Sequence, residues 1–522
     1  MMTVWLRLVA FWEKHRAELA LLLTFFLVAL AVRLPNLMLL PRFNDEGQEV
    51  LWGLDIALGR RLPLGAGVNS YYGPLFSYLI AALFRIFGIS VELPRLMIAV
   101  FGALTVPATY ALGRVVWNRL AGLIAAGFVL TCPILILYSS HTGLSGALPP
   151  FFATATLAAF HAATVKHTRG LLSLSGILAA FTLQTHPITA VILFGMAIWF
   201  LSLPELKARL KQRELYIALA LFIIGCAPII VTMIQAHSSF PKSAQEIAYQ
   251  LSPTLAPGEY LSRLVTLLRV GGFFLGGGIG PATLVLRSEA TTIALLLLAG
   301  LAVNWYRGNR LIPLVLVPSI LALPVVLGDL SERYILYLLP AAYVAIGGLV
   351  AEIWRWLEDA RWSGQLARLE RARIALLVLT GGIVAFPLVS LHTYYDEAFV
   401  EGITNQEYFR LAEVVLSTGA CGAHLQVEDA QDDLSTPIKE QSWFALHAVD
   451  VVLTLDRCEH TTLSASALEQ SLAAQDHSGW LIVSEPTHAA LSERFDLDVV
   501  TSARIPPIAS IVVPIILDRV SP

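Results

Sequence analysis

The sequence predicts a multi-pass α-helical membrane protein with a small C-terminal α/β domain. Three observations carry that expectation. Of 522 residues, 56% are apolar and only 14% charged, with a mean hydropathy of +0.69, whereas soluble domains carry about a quarter charged residues. The apolar residues gather into runs of roughly 17–25, the length an α-helix needs to cross a bilayer. Basic residues fall in alternate loops between those runs, which is the bias that orients membrane proteins. The net charge is only −3 and no basic run occurs, so nucleic acid is not expected as a partner.

Met1–Glu18 is a short basic and aromatic leader with Arg7, Lys14 and Arg16, and Leu19–Leu34 opens the first crossing. No small-residue cleavage site follows it, so the run reads as a span rather than a cleaved signal. About eleven crossings are expected, at roughly 17–35, 93–113, 120–138, 147–165, 170–187, 188–204, 214–234, 290–306, 311–328, 333–351 and 374–394. The fifth and sixth meet at Gln184-Thr185-His186-Pro187. With the leader in the cytoplasm, the loops on that side carry Arg114 and Arg119; Lys166 and Arg169; Lys207, Arg209, Lys211 and Arg213; Arg307 and Arg310; and Arg355, Arg361, Arg368, Arg371 and Arg373. The opposite short loops, near 139–145, 184–187 and 328–333, hold one basic residue among them, Arg333. The alternation predicts a cytoplasmic N-terminus.

Residues 1–394 therefore read as a membrane domain with two long extracytoplasmic connections, 35–92 and 235–289. Neither is polar enough to be a free linker. Both are expected to lie on the membrane as short helices and cover a cavity. From 395 to 522 the spans stop. Short β-type runs appear at His424–Val427, Val451–Leu455, Trp480–Val483, Val499–Ala503 and Ile508–Ile516, separated by helical patterns such as Leu463–Ala474. This predicts an extracytoplasmic α/β domain in which Cys421 and Cys458 can oxidise to a disulfide. Cys132 and Cys226 lie in apolar runs, and no cysteine spacing resembles a zinc site.

The stretch Pro41–Val50 holds two adjacent carboxylates, Asp45 and Glu46, and a third, Glu49, just beyond the first span. Val50, Leu51, Leu54 and Leu58 recur at helical spacing, which predicts an amphipathic helix lying in the membrane surface. Asn44 or Asp45 can cap that helix, with Gln48 completing a capping box. An acidic pair at the water–lipid boundary can also act as a general base. The two readings are compatible. Arg333 stands just before Tyr334 at the outer start of a span. A guanidinium fork suits phosphate oxygens, and Tyr334 can add a hydrogen bond. Alternatively, Arg333 anchors an interfacial belt with Tyr334 and Tyr337, or is neutralised by Asp329 or Glu332. Tyr71 and Tyr72 precede Gly73-Pro74 and a second amphipathic piece, Leu75–Phe87. Their rings either stack on a sugar or anchor a turn. Arg60 and Arg61 flank the same loop and suit anionic head groups. Arg95, after Pro94, either points into the cavity or snorkels. His141 and His186 sit at span ends, as structural hydrogen-bonding residues or as two ligands lacking a third, so no metal is expected.

Taken in order, these residues resemble the GT-C glycosyltransferases, in particular the group of protein O-mannosyltransferases, lipid A aminoarabinose transferases and RgtA/B/C/D-like enzymes. Four stretches carry the resemblance: Arg33-Leu34-Pro35 leading to Asn44-Asp45-Glu46; Tyr71–Leu96, with Gly73-Pro74, Phe87-Gly88 and Pro94-Arg95; Cys132–Leu148 followed by Gln184-Thr185-His186-Pro187; and Glu332–Gly347. It covers about residues 17–350. It implies a GT-C fold and an inverting sugar transfer from a polyprenyl-phosphate donor to an acceptor glycan, lipid or protein on the extracytoplasmic face, with no nucleotide, cofactor or catalytic metal. By the same resemblance Asp45 is the base, Glu46 its partner, and Arg333 with Tyr334 the phosphate contacts. Glu49, Tyr71, Tyr72, Arg95, His141 and His186 are left as possible cavity residues. One departure stands out. Many relatives place a basic and then an acidic residue where this chain has Ser140-His141 and Gly146. Either Glu49, Asp55 or Glu46 replaces that second carboxylate, or substrate handling differs, or the chain is inactive. A transporter fits less well, because the acidic residues sit at span ends rather than deep within spans. A non-catalytic scaffold presenting the tail to a partner stays open.

Overall fold

Backbone polar groups in a bilayer must bond within their own segment, so long apolar runs become helices. In the computed structural model of the chain, the described residues are 2–35, 37, 44–60, 73–140, 148–168, 170–204, 206–236, 257–278, 288–326, 334–359, 366–389, 391–392, 414–415, 417, 424–426, 453–454, 458, 461–463, 468, 470, 472–473, 479–505 and 513–520. Helix α1 spans Met2–Arg33, so the leader and the first crossing form one rod. Two shorter helices follow in the first connection, α2 (Asn44–Ala57) and α3 (Leu75–Phe87). Then come α4 (Leu93–Val116), α5 (Arg119–Thr131), α6 (Pro133–Tyr138), α7 (Leu148–Val165), α8 (Leu171–Thr185), α9 (Ala190–Leu201), α10 (Leu206–Arg209) and α11 (Arg213–Ala236). The membrane domain closes with α12 (Pro257–Leu275), α13 (Ser288–Tyr306), α14 (Leu311–Val326), α15 (Leu339–Asp359) and α16 (Leu366–Ala385).

Each predicted crossing has a helix in its place. Among the described residues six helical stretches are long and apolar enough to span a bilayer: 15–33, 93–116, 148–165, 213–231, 336–359 and 369–389. The other crossings fall on the shorter apolar helices 119–131, 171–185, 187–201, 292–306 and 311–325. The third crossing is not one helix. Pro133 has no N–H to continue α5 and disfavours helical backbone at Cys132, which sits at φ −68°, ψ 110° between α5 and α6.

Packing fixes the direction of each helix. Gly113 of α4 meets Gly122 of α5, as expected of neighbours joined by a short antiparallel turn. Gly347 of α15 meets Ala121 of α5, and Tyr343 stacks on Phe128 at 5.0 Å between centroids, so these two also run antiparallel. In contrast α8 and α11 run parallel, with Gly176 against Ala218 and Gly225 against Ala180. So do α13 and α15, with Gly300 against Ala345 and Arg307 bonded to Glu352. A chain reversing at every crossing produces these relations.

One end of the bundle, the basic end, is laced by pairs the sequence placed in the cytoplasmic loops. Glu18 accepts from Tyr110 and pairs with Arg114 at 2.5 Å. Arg209 donates to Thr164 O at 2.7 Å. Glu352 gathers Arg307 and Arg355, and its hydrogen bond holds the Arg307 guanidinium more firmly protonated than usual. Arg373 pairs with Glu358 at 2.7 Å and lies 3.8 Å from the Trp354 ring. The opposite end, the loop end, receives α2, α3 and α12. The second connection does not merely lie on the surface. Helix α12 packs against α13 and α14, and its last residues Phe273, Phe274 and Leu275 are buried. The carbonyls of Phe274 and Leu275 accept from Cys132 Sγ (3.9 Å) and Tyr343 Oη (3.1 Å).

In the C-terminal part, β1 (His424–Gln426), β2 (Thr461–Leu463), β3 (Gly479–Ser484), β4 (Leu497–Ile505) and β5 (Val513–Val520) form one mixed sheet in the order β2-β1-β3-β5-β4. Strand β1 is parallel to β2 and β3, and β5 is antiparallel to β3 and β4. Helix α17 (Glu485–Ser492) follows β3 directly, and its Leu491 packs with Leu468, Leu472, Leu481 and Val483. The strand expected at Val451–Leu455 is corrected at its described residues: Leu453 and Thr454 are helical, and a strand lies at Thr461–Leu463, ending on the first residue of the expected helical pattern. A β-branched run does not specify a strand unless a sheet edge is beside it. Cys458 is buried and disulfide-bonded, while Cys132 and Cys226 are free thiols; Cys421 lies outside the described residues.

A Cβ on Gly176 would lie 2.1 Å from the Ala218 carbonyl oxygen, so helix α11 would have to move. Gly176→Ala should cost about 1–3 kcal/mol, read as a lower melting temperature of the detergent-solubilised protein. An unchanged melting temperature would mean that α8 and α11 are not in backbone contact there.

Candidate functional site at the loop end

Helix α2 places the acidic residues. It begins at Asn44, so Asp45 and Glu46 occupy its first turn, where the helix dipole favours negative charge. Their side chains lie outside the described residues. Glu49 stands one turn beyond Asp45 on the same helix face, a spacing of about 5–6 Å between Cβ atoms, and is half-buried. Val50 and Leu54 are buried as the periodicity required, and Leu51 is half-buried. Leu58 departs from the expectation: it lies beyond the helix end and is 46% exposed.

Helix α3 covers the buried face of α2, within the bounds read from the sequence. Ile80 meets Gly53 so closely that a Cβ there would lie 2.4 Å from Ile80 Cγ2. Ser77 Oγ donates to the Glu49 carbonyl at 3.5 Å. At the other end of α2, Arg85 Nε and Nη2 donate to the carbonyls of Ala57 (3.1 Å) and Ile56 (2.9 Å). The entry to α3 is tied to α8, because Gly73 N–H donates to Gln184 O at 3.1 Å.

Beside this pair the ends of several spans converge. Arg95, in the first turn of α4, is fully buried and donates to Leu37 O at 3.0 Å. It therefore points inward and does not snorkel. Arg33, the last residue of α1, is also fully buried; its Nε donates to Ser139 Oγ at 2.7 Å beside a small cavity lined by Thr105, Tyr138 and Leu336. The sequence reading missed the burial of Arg33, which it used only as a landmark. His186 breaks the chain between α8 and the short turn Pro187–Thr189, and its Nδ1 accepts from Ile188 N–H at 3.1 Å. This is a helix N-cap made by an imidazole. The ring meets Tyr334 edge-on at 5.2 Å, and Tyr337 donates to Ile188 O at 3.3 Å. Tyr334 is half-buried. Glu49, Arg95, His186 and Tyr334 thus all lie at the loop end. Tyr71, Tyr72, His141 and Arg333 lie outside the described residues. Asp55 is not a second carboxylate for the site. It is ten residues from Asp45, about 15 Å along the helix, and stands 4.0 Å from Arg60. Among the described residues no three His, Cys, Asp or Glu side chains are grouped to hold a metal.

Another cation was not singled out in the sequence. Arg269 is exposed on α12 with Ser262 and Thr266, flanking an exposed apolar stripe of Leu261, Val265 and Leu268. A helical-wheel reading of 257–275 would have found it.

Comparison with solved structures decides the architecture. The chain superposes on ArnT from Cupriavidus metallidurans bound to undecaprenyl phosphate with a TM-score of 0.59 at 13% identity, covering 97% of this chain and 98% of that one. The chain has the GT-C fold. The GT-C likeness extends to the Archaeoglobus fulgidus oligosaccharyltransferase tethered to an acceptor peptide, with a TM-score of 0.50 at 13% identity over 91% of this chain and 70% of that one. Residues 72–231 match the family described as dolichyl-phosphate-mannose-protein mannosyltransferase, a segment running from the α3 entry into α11. No curated protein matches the sequence significantly.

If His186 serves as a cap, His186→Asn should keep the melting temperature, because an Asn oxygen accepts the same N–H, whereas His186→Ala should lose about 1 kcal/mol. Equal losses in both variants would assign His186 a role other than capping.

Proposed function

We propose that this GT-C protein is a membrane glycosyltransferase that moves a sugar from a polyprenyl-phosphate donor to an acceptor on the extracytoplasmic face, with inversion. The observation that carries the reading is the placement of helix α2. In a GT-C fold, its acidic first turn stands at the end of the bundle where Arg95, His186 and Tyr334 converge. ArnT, similar over nearly its whole length, has been seen with undecaprenyl phosphate, which supports a lipid phosphate as the leaving group.

In the proposed reaction an acceptor hydroxyl attacks the anomeric carbon from the face opposite the phosphate. The carbon–oxygen bond to phosphate breaks as the new glycosidic bond forms. Asp45 takes the hydroxyl proton, as a general base must. The departing polyprenyl phosphate keeps the bonding electrons, and a guanidinium stabilises that charge. Arg333 with Tyr334 fills that role; Arg269, at the edge of an exposed apolar stripe suited to an isoprenoid chain, is a second cation for it. The phosphate is already an adequate leaving group, so the scheme calls for no cofactor and no metal. Glu49 is the better substitute for the carboxylate missing near Gly146, since it shares a helix face with Asp45 while Asp55 is too distant. The same scheme places the protein in the plasma membrane with its N-terminus cytoplasmic and the α/β domain outside.

Asp45→Asn should lower sugar transfer by more than about 100-fold while expression and membrane insertion stay intact. An active variant would remove Asp45 as the base. Arg333→Ala should raise KM for the lipid donor more than for the acceptor; equal dependence on both would return Arg333 to an interfacial anchor. Comparing envelope glycans and glycolipids of a deletion strain with its parent by mass spectrometry identifies the sugar and acceptor together.

A further inference from the structure

Helix α2 packs along α3, with Val50 and Leu54 buried. Its 14 residues span about 21 Å at 1.5 Å per residue. Near the acidic end the described contact to α3 is weak, since the 3.5 Å bond from Ser77 to Glu49 O lies at the limit of a hydrogen bond. Gly53 is packed tightly against Ile80, where a Cβ would lie 2.4 Å from Cγ2. The strong polar contact is at the far end, where Arg85 bonds the carbonyls of the last two residues, Ile56 and Ala57. The Ile56 carbonyl also accepts from Gly59 N–H at 3.2 Å, so Arg85 reinforces the last turn of α2, and a cation there complements the helix dipole.

We infer that Arg85 is a positioning residue for the proposed base: its two-carbonyl clamp on the C-terminus of α2 sets where Asp45 stands. The inference rests on the glycosyltransferase reading for its kinetic consequence, but not for its geometry. Gly53 acts as a fulcrum. Asp45 lies eight residues to one side of it, about 12 Å, and Ala57 four residues to the other, about 6 Å. A displacement of the clamped end is therefore roughly doubled at the acidic end. A base misplaced by about 1 Å loses on the order of 100-fold in rate, so a small release at Arg85 is large at the reacting atoms. Arg95 steadies the other approach, since its bond to Leu37 O holds the chain eight residues before Asp45. Arg85 is exposed and remote from the first turn of α2, so its effect reaches the substrate through the helix.

The test uses the full-length protein in nanodiscs. Spin labels at Gln48→Cys and Leu96→Cys, with Cys132 and Cys226 replaced by Ala, report the distance between the acidic end of α2 and α4. Turnover is measured with decaprenyl phosphate carrying mannose, glucose or arabinose, by release of decaprenyl phosphate in membranes that contain the acceptor. Arg85→Met should broaden or shift the distance distribution and lower kcat by about 10- to 100-fold, with KM for the donor changed less than about twofold. Arg85→Lys, which offers a point charge without the fork, should fall between. Lys207→Met, which removes an exposed charge at the basic end of the bundle, should leave both readouts unchanged. An unaltered distance and kcat in Arg85→Met, or a loss confined to donor KM, overturns the inference. If the unsubstituted protein turns over none of the three donors, the distance measurement still decides the clamp, and only the catalytic reading is lost.

Discussion

Arg33 and Arg95 are fully buried at the loop end of the bundle, and a guanidinium cannot shed its proton to make burial tolerable. Each must be bonded where it lies, and the bonds it makes hold other segments in place. Arg33 joins the end of the first crossing to Ser139 at the end of the third. Arg95 reaches from the start of the second crossing to Leu37 in the first connection. The path from α1 toward the acidic helix is thus tied by two buried cations before any substrate is considered. Removing one partner of such a bond leaves a buried polar group unpaired, which costs far more than the bond contributes.

The same logic extends around the site. Gly73 donates to Gln184 O, and His186, two residues on, caps the next turn and meets Tyr334. Segments separated by more than a hundred residues in the chain are therefore joined by backbone carbonyls and amides. Backbone partners constrain position without constraining side-chain identity, and they leave no motif in the sequence. The basic end is organised differently. Its arginines pair with Glu18, Glu352 and Glu358 near the surface, where each pair contributes little stability alone but marks the ends of the helices.

Fold and activity are separate conclusions here. A likeness at 13% identity to ArnT speaks for how the helices are arranged, and folds host sites of many kinds. The proposed activity rests on the acidic first turn of α2, on Arg333 and Arg269, and on the exposed apolar stripe of α12. The bend at Cys132-Pro133 and the insertion of α12 beneath it bring Phe274 and Leu275 against the third and tenth crossings. Helix α12 of the second connection is therefore a wall of the bundle.

The sequence by itself placed a helix at each expected crossing, because hydropathy acts through local free energies of transfer that need no partner. It also determined α3 to the residue and the acidic turn at Asn44-Asp45-Glu46, since apolar periodicity and helix-starting residues are local too. Only the tertiary structure decided that Arg95 turns inward, that Arg33 is buried, that His186 serves as a cap, that Asp55 is too distant to assist Asp45 and that β2 falls at Thr461–Leu463 rather than Val451–Leu455. Each of these depends on which carbonyl, hydroxyl or strand edge from a distant part of the chain is within bonding distance, and that is a property of packing that no window of sequence contains.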